Sequence, residues 1–305
     1  MRILITGPSG AIGAALARSL GGEHELRGLS RDPSRVASDL PLELIRGDAL
    51  SGIGLQEALE GVEIGYYLIH SMEPAPAAAS FEQRDRVAAQ RFATAAANAG
   101  VGRIVYLGGL LPLTGSASAH LESRGEVERI LLAAVPNSVA LRASLVVGAR
   151  SRSFRAIVSL IERLPVVPLP PWRRNRTQPI DERDAIAYLA AAATALDVGG
   201  RAFDIAGPEV LSYAAMIERI AGLLLLSRPT LRLPLAAGPL ASALAAAVSG
   251  QPNELLGPLM RSLEHDLLAD DTAARAAFAV PLHGFDAAVE HALREWDELE
   301  PRGER

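Results

Sequence analysis

The sequence contains no cysteine among its 305 residues. This absence excludes disulfide bonds, thiolate nucleophiles and cysteine-ligated metal centres. Aromatic residues are scarce, at 4% against 49% hydrophobic residues overall, so the interior must be built from aliphatic side chains and alanine. The six histidines and the carboxylates show no metal-ligand spacing such as His-Glu-x-x-His, and we therefore expect no metal site.

The chain also lacks an excess of positive charge and a targeting segment. Its net charge of -5 gives no general attraction for a polyanion, so we expect no nucleic-acid partner. The N-terminal apolar stretch has only the length of a strand, which predicts a cytoplasmic protein. Residues 233–253 carry no charge, but prolines and glycines interrupt them, and we expect them to fold onto the protein without stable membrane insertion.

What the chain does carry is a short apolar strand followed at once by three glycines, Gly7, Gly10 and Gly13. In a dinucleotide-binding crossover, the first glycine allows a tight turn, the second lets the backbone approach a pyrophosphate, and the third lets the helix pack closely on the strand. Backbone amides at the helix start then face the phosphates. We expect the cofactor to lie on this turn, beside Ser9, Ala11 and Ile12 as well as the glycines.

Further along, strand-like and helix-like segments alternate. Strands are predicted at residues 24–29, 42–46, 62–69, 103–107 and 139–147, and helices at 11–20, 54–60, 81–98 and 119–134. Ser80 and Gln83 form a capping box, and Gly100 is a plausible helix stop. The alternation predicts an α/β fold with a doubly wound parallel sheet.

The domain organisation follows from the same pattern. Residues 1–150 are predicted to form the dinucleotide-binding core, and residues 151–305 a smaller, mostly helical substrate lobe. Four prolines within residues 165–171 mark the passage into the lobe, and the chain is expected to return to the sheet near residues 201–205.

Ligands of such sheets lie beyond the carboxyl ends of the strands. Ser30 stands at the end of the second strand, where an acidic residue would hold the ribose 2′-hydroxyl of NAD, and Arg31 and Arg35 follow. Two guanidinium groups suit a 2′-phosphate, so NADP(H) is the favoured cofactor. The alternative is a solvated basic turn in which Asp32 neutralises one arginine. Asp48, before Ala49, either accepts from the adenine amino group or only shapes its turn.

The chain resembles the atypical short-chain dehydrogenase/reductases, which include NmrA-like and epimerase-like NAD(P)H-binding Rossmann proteins. The resemblance covers nearly the whole chain, and is carried by residues 6–13 (TGPSGAIG), 27–33 (RGLSRDP), 66–72 (YYLIHSM), 103–110 (RIVYLGGL), 141–144 (LRAS), 177–180 (TQPI) and 203–208 (FDIAGP). It implies a Rossmann sheet with cofactor contacts at the strand ends, which include His70, Ser71 and Gly108. Tyr66 and Tyr67 lie within a strand and are interpreted as packing residues.

The catalytic apparatus departs from this superfamily. Typical members carry Tyr-x-x-x-Lys on the helix after the fifth strand and a serine at that strand's end, whereas this chain has His120, Arg124 and the pair Gly108 and Gly109. A histidine with a pKa near 6.5 would exchange protons near neutrality unaided, and Arg124 would hydrogen-bond the nicotinamide ribose. The alternative is an exposed helix on which His120, Arg124 and Glu128 are merely solvated neighbours.

These features predict an NADP(H)-dependent oxidoreductase that transfers hydride to a small carbonyl or conjugated apolar substrate. The main alternative is a non-catalytic regulator that senses NADP(H), since NmrA-like proteins bind the dinucleotide without turning it over. An epimerase or dehydratase is disfavoured, because the Tyr-x-x-x-Lys pair is absent. The oligomeric state does not follow from the sequence.

Overall fold

The computed structural model of the protein describes residues 1–69, 80–112, 118–169, 171–232 and 262–301. Residues His70 and Ser71, predicted to contact the cofactor, lie outside the described residues. The uncharged stretch 233–253, expected to pack on the lobe, lies outside them as well. Within the described ranges, no helix combines the length and the apolar character that a membrane crossing requires.

The strands alternate with helices along the chain. The strands are β1 (Arg2–Thr6), β2 (Glu25–Ser30), β3 (Glu43–Arg46), β4 (Ile64–Tyr67), β5 (Arg103–Gly109), β6 (Val139–Ala143), β7 (Val146–Val147), β8 (Val167–Leu169), β9 (Arg176–Thr177), β10 (Ile180–Asp181), β11 (Arg201–Ile205), β12 (Leu211–Ser212) and β13 (Thr230–Arg232). The helices are α1 (Ala11–Leu20), α2 (Leu55–Leu59), α3 (Phe81–Asn98), α4 (Ala119–Ala134), α5 (Arg152–Arg163), α6 (Glu182–Thr194), α7 (Tyr213–Leu223), α8 (Thr272–Phe278) and α9 (Phe285–Leu299).

Seven of these strands form one parallel sheet in the order β11-β6-β5-β4-β1-β2-β3. The predicted doubly wound α/β fold is therefore confirmed. Since β1 lies in the middle and the chain winds outward to both sides, the order of the strands reverses beside β1. The carboxyl ends of β1, β2, β4 and β5 thus meet at one edge of the sheet, where the glycine turn also lies.

The two faces of the sheet are covered by different helices because side chains alternate along each strand. Ile3 and Ile5 point to the face that α1 and α6 cover, whereas Leu4 between them points to α2, α3 and α4. Tyr66 points to the face that α1 and α6 cover, and Tyr67 points to the opposite face. Both are buried, as expected of packing residues. The Tyr66 hydroxyl donates to the Leu189 carbonyl at 3.0 Å, which ties the sheet to α6.

A third apolar cluster lies in the lobe, where α5, α7 and α9 pack together. Phe154, Ile220 and Val289 are fully buried there, and Trp296 is nearly so. The guanidinium carbon of Arg155 lies 4.5 Å from the centre of the Trp296 ring, a cation–π contact that joins α5 to α9. The lobe therefore has its own helical core.

One predicted strand differs from the sequence expectation. The strand predicted over residues 139–147 is split into β6 and β7, because the Ser144 hydroxyl bonds that of Thr177 and the Leu145 carbonyl accepts from the Ile180 amide. These two hydrogen bonds direct the chain away from the main sheet, and β7 pairs with β10 instead. Helix α6 packs on the main sheet, and β11 pairs with β6 within it.

Helix α6 begins with a buried carboxyl group, Glu182. A Cβ atom at Gly148 would collide with Glu182 Oε2, so that glycine makes room for the carboxyl group. This oxygen has no hydrogen-bond partner among the described residues. Burial, helped by the charges of Glu295 and Asp181 and opposed by Arg150, raises the pKa of Glu182 to about 7.

We expect Glu182→Gln to stabilise the protein at pH 8 and to have little effect at pH 5. The folded state holds the Glu182 proton above the ordinary pKa of 4.5, so wild-type stability is lost as the pH rises from there toward 7. The free energy of unfolding at pH 8 should rise by about 3 kcal/mol in the variant, measured by denaturant titration. Exposed Glu298 provides the control, Glu298→Gln. Equal pH dependence in wild type and Glu182→Gln would contradict this account.

Candidate functional site

The turn between β1 and α1 has the geometry of a phosphate cradle. Gly7 has a φ of +69°, in the left-handed region that glycine adopts freely, and its carbonyl accepts from the Gly10 amide at 3.0 Å. A Cβ atom at Gly13 would collide with the Gly7 carbonyl oxygen, so only glycine lets the helix come this close. The turn is open to solvent at Ser9 and Gly10.

The start of α1 is suited to an anion. Gly10 is its N-cap and provides no side-chain acceptor, and the first turn, which includes Ala11 and Ile12, holds no acidic residue. The amides of this turn therefore keep their hydrogen-bonding capacity for a ligand. The positive end of the helix dipole adds to the attraction for a phosphate group.

The end of β2 is surrounded by arginines. Ser30 is buried and its hydroxyl donates to the Asp32 carbonyl at 3.0 Å. The Asp32 carboxylate accepts from the amide and hydroxyl of Ser34, at 3.1 and 2.6 Å, and so caps its own turn. These bonds, with the charges of Arg35 and Arg46, hold the pKa of Asp32 below its ordinary value. Asp32 is thus engaged by Ser34, and no salt bridge joins it to Arg35.

Arg46 is a member of this group that the sequence reasoning missed. It ends β3 and pairs in register with Ser30, so the two side chains leave the sheet on the same face. The guanidinium groups of Arg35 and Arg46 make no hydrogen bond or salt bridge with the described residues, and both residues are exposed. Arg46 is the last residue of the strand predicted at residues 42–46. Its position next to Ser30 would have followed from the sequence if that strand had been placed beside β2.

Asp48 shapes its own turn. Its carboxylate oxygens accept from the amides of Leu50 and Ser51, at 3.1 and 3.2 Å, beside buried Ala49. Each oxygen retains a further lone pair, so a contact with the adenine amino group stays open. The neighbouring strand end, β4, leads to Ile69, whose side chain a Cβ atom at Gly7 would meet at 2.9 Å.

His120 and Arg124 lie in the first turns of α4, against the end of β5. Ser118 is the N-cap of the helix, and its hydroxyl accepts from the Leu121 amide at 3.4 Å. A Cβ atom at Gly109 would lie 3.2 Å from Leu121 and 4.0 Å from Arg124 Cγ, which shows how closely α4 approaches this strand end. Both residues therefore stand at the carboxyl edge of the sheet.

The burial of His120 corrects two sequence expectations. Its exposed fraction is only 9%, and that of Glu128 is 6%, so this face of α4 is not a row of solvated side chains. Burial, and secondarily the charge of Arg124, lowers the pKa of His120 to about 3. The imidazole is therefore neutral at neutral pH and does not titrate near 6.5 as expected.

Glu128 belongs to a separate ion pair. Its carboxylate accepts from Arg142 Nε and Nη2 at 2.7 and 2.6 Å, and Arg142 Nη1 lies 3.6 Å from the carboxylate of Asp204. The pair lines an open cleft of about 840 Å³ whose wall carries further Glu and Arg side chains. Such a charged surface does not suit an apolar substrate, so we place no substrate there.

Beyond the end of β6 lie a pair of hydroxyl groups, an aromatic contact and an ion pair. Ser144, at the end of β6, bonds Thr177, and Tyr213 packs edge-on against Trp172 with ring centres 5.8 Å apart. Arg176 donates from Nε and Nη2 to Asp266 at 2.9 and 2.7 Å, so its charge is already compensated. Within the part of the chain that the structure describes, no three His, Asp or Glu residues could hold a metal ion together.

Residues 7–134 match a family model described as NAD(P)H-binding. The match runs from the first glycine of the turn to the last residue of α4. A comparison with curated proteins finds no sequence match.

Solved structures resemble the chain over nearly its whole length. The protein gox2253 is 19% identical, with a TM-score of 0.75 and 98% of each chain covered. MoeE5, solved in complex with UDP-glucose and NAD, is 18% identical, with a TM-score of 0.73 over 98% of this chain and 99% of that one. UDP-glucuronic acid 4-epimerase from Bacillus cereus, in complex with UDP-glucuronic acid and NAD, is 16% identical, with a TM-score of 0.73 over 98% of this chain and 100% of that one.

At these identities the likeness concerns the fold, and the matched N-terminal segment adds the cofactor class. Three features of the structure agree with the family match and with the similar folds. They are the glycine turn, the parallel sheet and the start of α1, which is suited to bind an anion. Residues 7–134 are therefore similar to NAD(P)H-binding domains, and the chain as a whole has a Rossmann-like α/β fold.

Proposed function

We propose that the protein is an NADP(H)-dependent oxidoreductase that transfers hydride to a small carbonyl or conjugated apolar substrate. The observation that carries the proposal is the placement of His120 and Arg124 against the end of β5, at the edge of the sheet where the glycine turn also lies. A nicotinamide extended from the turn along this edge would reach α4. The cofactor supplies the hydride, and the protein orients the reactants.

The preference for NADP(H) rests on charge at the end of β2. Ser30 provides no carboxylate that would hold a 2′-hydroxyl and repel a 2′-phosphate. Arg31, Arg35 and Arg46 follow or flank it, and the carboxylate of Asp32 is engaged by Ser34. Guanidinium groups bind phosphate through charge-assisted hydrogen bonds, so this corner recognises the 2′-phosphate.

We expect NADPH to bind at least roughly tenfold more tightly than NADH, since one charge-assisted contact supplies about 1.4 kcal/mol or more. Arg31→Ala, Arg35→Ala and Arg46→Ala should each weaken NADPH binding and leave NADH binding nearly unchanged. Titration of cofactor fluorescence measures both affinities.

Exposed Arg129 on α4 provides a matched control, because Arg129→Ala removes the same charge far from the end of β2. Equal affinities of the wild type for the two cofactors would refute the NADP(H) assignment. Loss of NADPH affinity in the control variant would show a general effect of charge.

His120 is proposed as the group that meets the substrate oxygen. Because its pKa lies far below neutrality, the imidazole acts as a neutral hydrogen-bond donor that polarises a carbonyl. It gives its N–H proton to the developing alkoxide, and a proton from solvent then returns the resulting imidazolate to the neutral form. Arg124 stays cationic and cannot act as a base, so its proposed role is to hydrogen-bond the nicotinamide ribose. The two residues would thus divide the work of a Tyr-x-x-x-Lys pair.

We expect His120→Ala to lower turnover roughly 10²-fold and to leave NADPH affinity nearly unchanged. Oxidation of NADPH is followed with a panel of aldehydes, ketones, quinones and enones, from pH 5 to 8. His120→Asn, which keeps a donor, should retain more activity than His120→Ala. Full activity of His120→Ala on a carbonyl substrate would contradict the role, as would an acidic limb near pH 6.5 that disappears in the variant.

The same panel separates the alternative functions. UDP-glucose and UDP-glucuronic acid are included because two similar structures hold them, and their epimerisation would refute the reductase proposal. Epimerisation through the family's Tyr and Ser is disfavoured because His120 and Gly109 replace those groups. If no compound oxidises bound NADPH, the result counts against the reductase proposal and favours the alternative, a non-catalytic sensor of NADP(H).

A further inference from the structure

A buried polar cluster lies beside the Arg124 side chain. Arg124 Nη1 lies 3.5 Å from the hydroxyl of Tyr106, and that hydroxyl donates to the Arg124 carbonyl oxygen at 3.4 Å. On the neighbouring helix α3, Asp85 accepts from the Ser123 hydroxyl at 3.3 Å. Tyr106 is 1% exposed and Asp85 is 4% exposed, so the cluster is shielded from water. Shielding strengthens the electrostatic interactions among its members.

Gly108 is what allows Tyr106 to reach Arg124. The two residues lie on the same face of β5, two positions apart. A Cβ atom at Gly108 would lie 2.8 Å from Tyr106 Cε1 and 3.5 Å from its hydroxyl oxygen. The Tyr106 ring therefore occupies the space that a side chain at position 108 would fill, and its hydroxyl points toward the carboxyl end of the strand.

The cluster also keeps Arg124 charged. Burial by itself would lower the pKa of the guanidinium, but Tyr106 and the carboxylate of Asp85 raise it above its ordinary value. A long arginine side chain has many rotamers, and it holds a ligand well only when its surroundings select one of them. The contacts with Tyr106 and the field of Asp85 provide that selection.

We propose that Tyr106 and Asp85 are positioning residues, which hold the Arg124 guanidinium in place for the nicotinamide ribose of the dinucleotide. This inference rests on the role of Arg124 proposed above. Both residues are buried beside Arg124, so each would act through its guanidinium group. Their effect should therefore fall on the nicotinamide half of the ligand and spare its adenosine half.

The test compares NADPH with adenosine 2′,5′-bisphosphate, which has the 2′-phosphate but no nicotinamide ribose. Tyr106→Phe keeps the ring and removes the hydroxyl; it should weaken NADPH binding roughly three- to tenfold and leave the fragment unchanged. Asp85→Asn should give the same pattern. Tyr66→Phe removes another buried hydroxyl, one that bonds Leu189 on the other face of the sheet, and should change neither affinity.

Arg124→Gln makes the outcomes distinguishable. If Arg124→Gln weakens NADPH binding but Tyr106→Phe and Asp85→Asn do not, the positioning role is wrong and the role of Arg124 stands. If Arg124→Gln has no effect, its proposed contact with the ribose is wrong, and this inference fails with it. Equal weakening of NADPH and of the fragment in Tyr106→Phe would show a general structural defect and would also overturn the inference.

Discussion

The close approach of α1 to the end of β1 is the constraint on which the rest of the site depends. Gly13 lies so near the Gly7 carbonyl that no side chain fits between them. Helix α1 can therefore pack directly on the central strand and present its first amides at the carboxyl edge of the sheet. Because the strands of the sheet are parallel, the neighbouring carboxyl ends also open on this edge, and the reversal of strand order beside β1 leaves a crevice there. The turn thus sets the position from which a dinucleotide extends in both directions.

The two ends of the proposed cofactor site use different physical means. At the end of β2 the proposed recognition is electrostatic and exposed, since Arg35 and Arg46 are exposed beside a serine. Such contacts weaken as salt screens them. Near α4 the polar groups are buried. Burial keeps His120 neutral, whereas Tyr106 and Asp85 keep Arg124 charged. The same helix thus carries a neutral donor and a fixed cation one turn apart.

Local sequence signals predicted much of the fold. The bounds of α1, α3 and α4 agree with the predicted helices, because apolar periodicity and the cap at Ser80 are local features. Local signals did not predict the interruption of the strand over residues 139–147. The interruption depends on hydrogen bonds with Thr177 and Ile180, which are distant in sequence. In the candidate site, too, some features depend on tertiary structure and could not be predicted from local sequence. Arg46 becomes visible only when β3 is placed beside β2, and the low pKa of His120 follows from tertiary burial.

A crystal structure of the protein with bound NADPH tests the account most directly. The account predicts the pyrophosphate on the amides that follow Gly10, the 2′-phosphate within hydrogen-bond distance of Arg31, Arg35 or Arg46, and the nicotinamide ribose on the Arg124 guanidinium. A 2′-phosphate that faces solvent without an arginine contact would contradict the assignment of NADP(H). A nicotinamide ribose remote from α4 would contradict the proposed chemistry of His120 and Arg124.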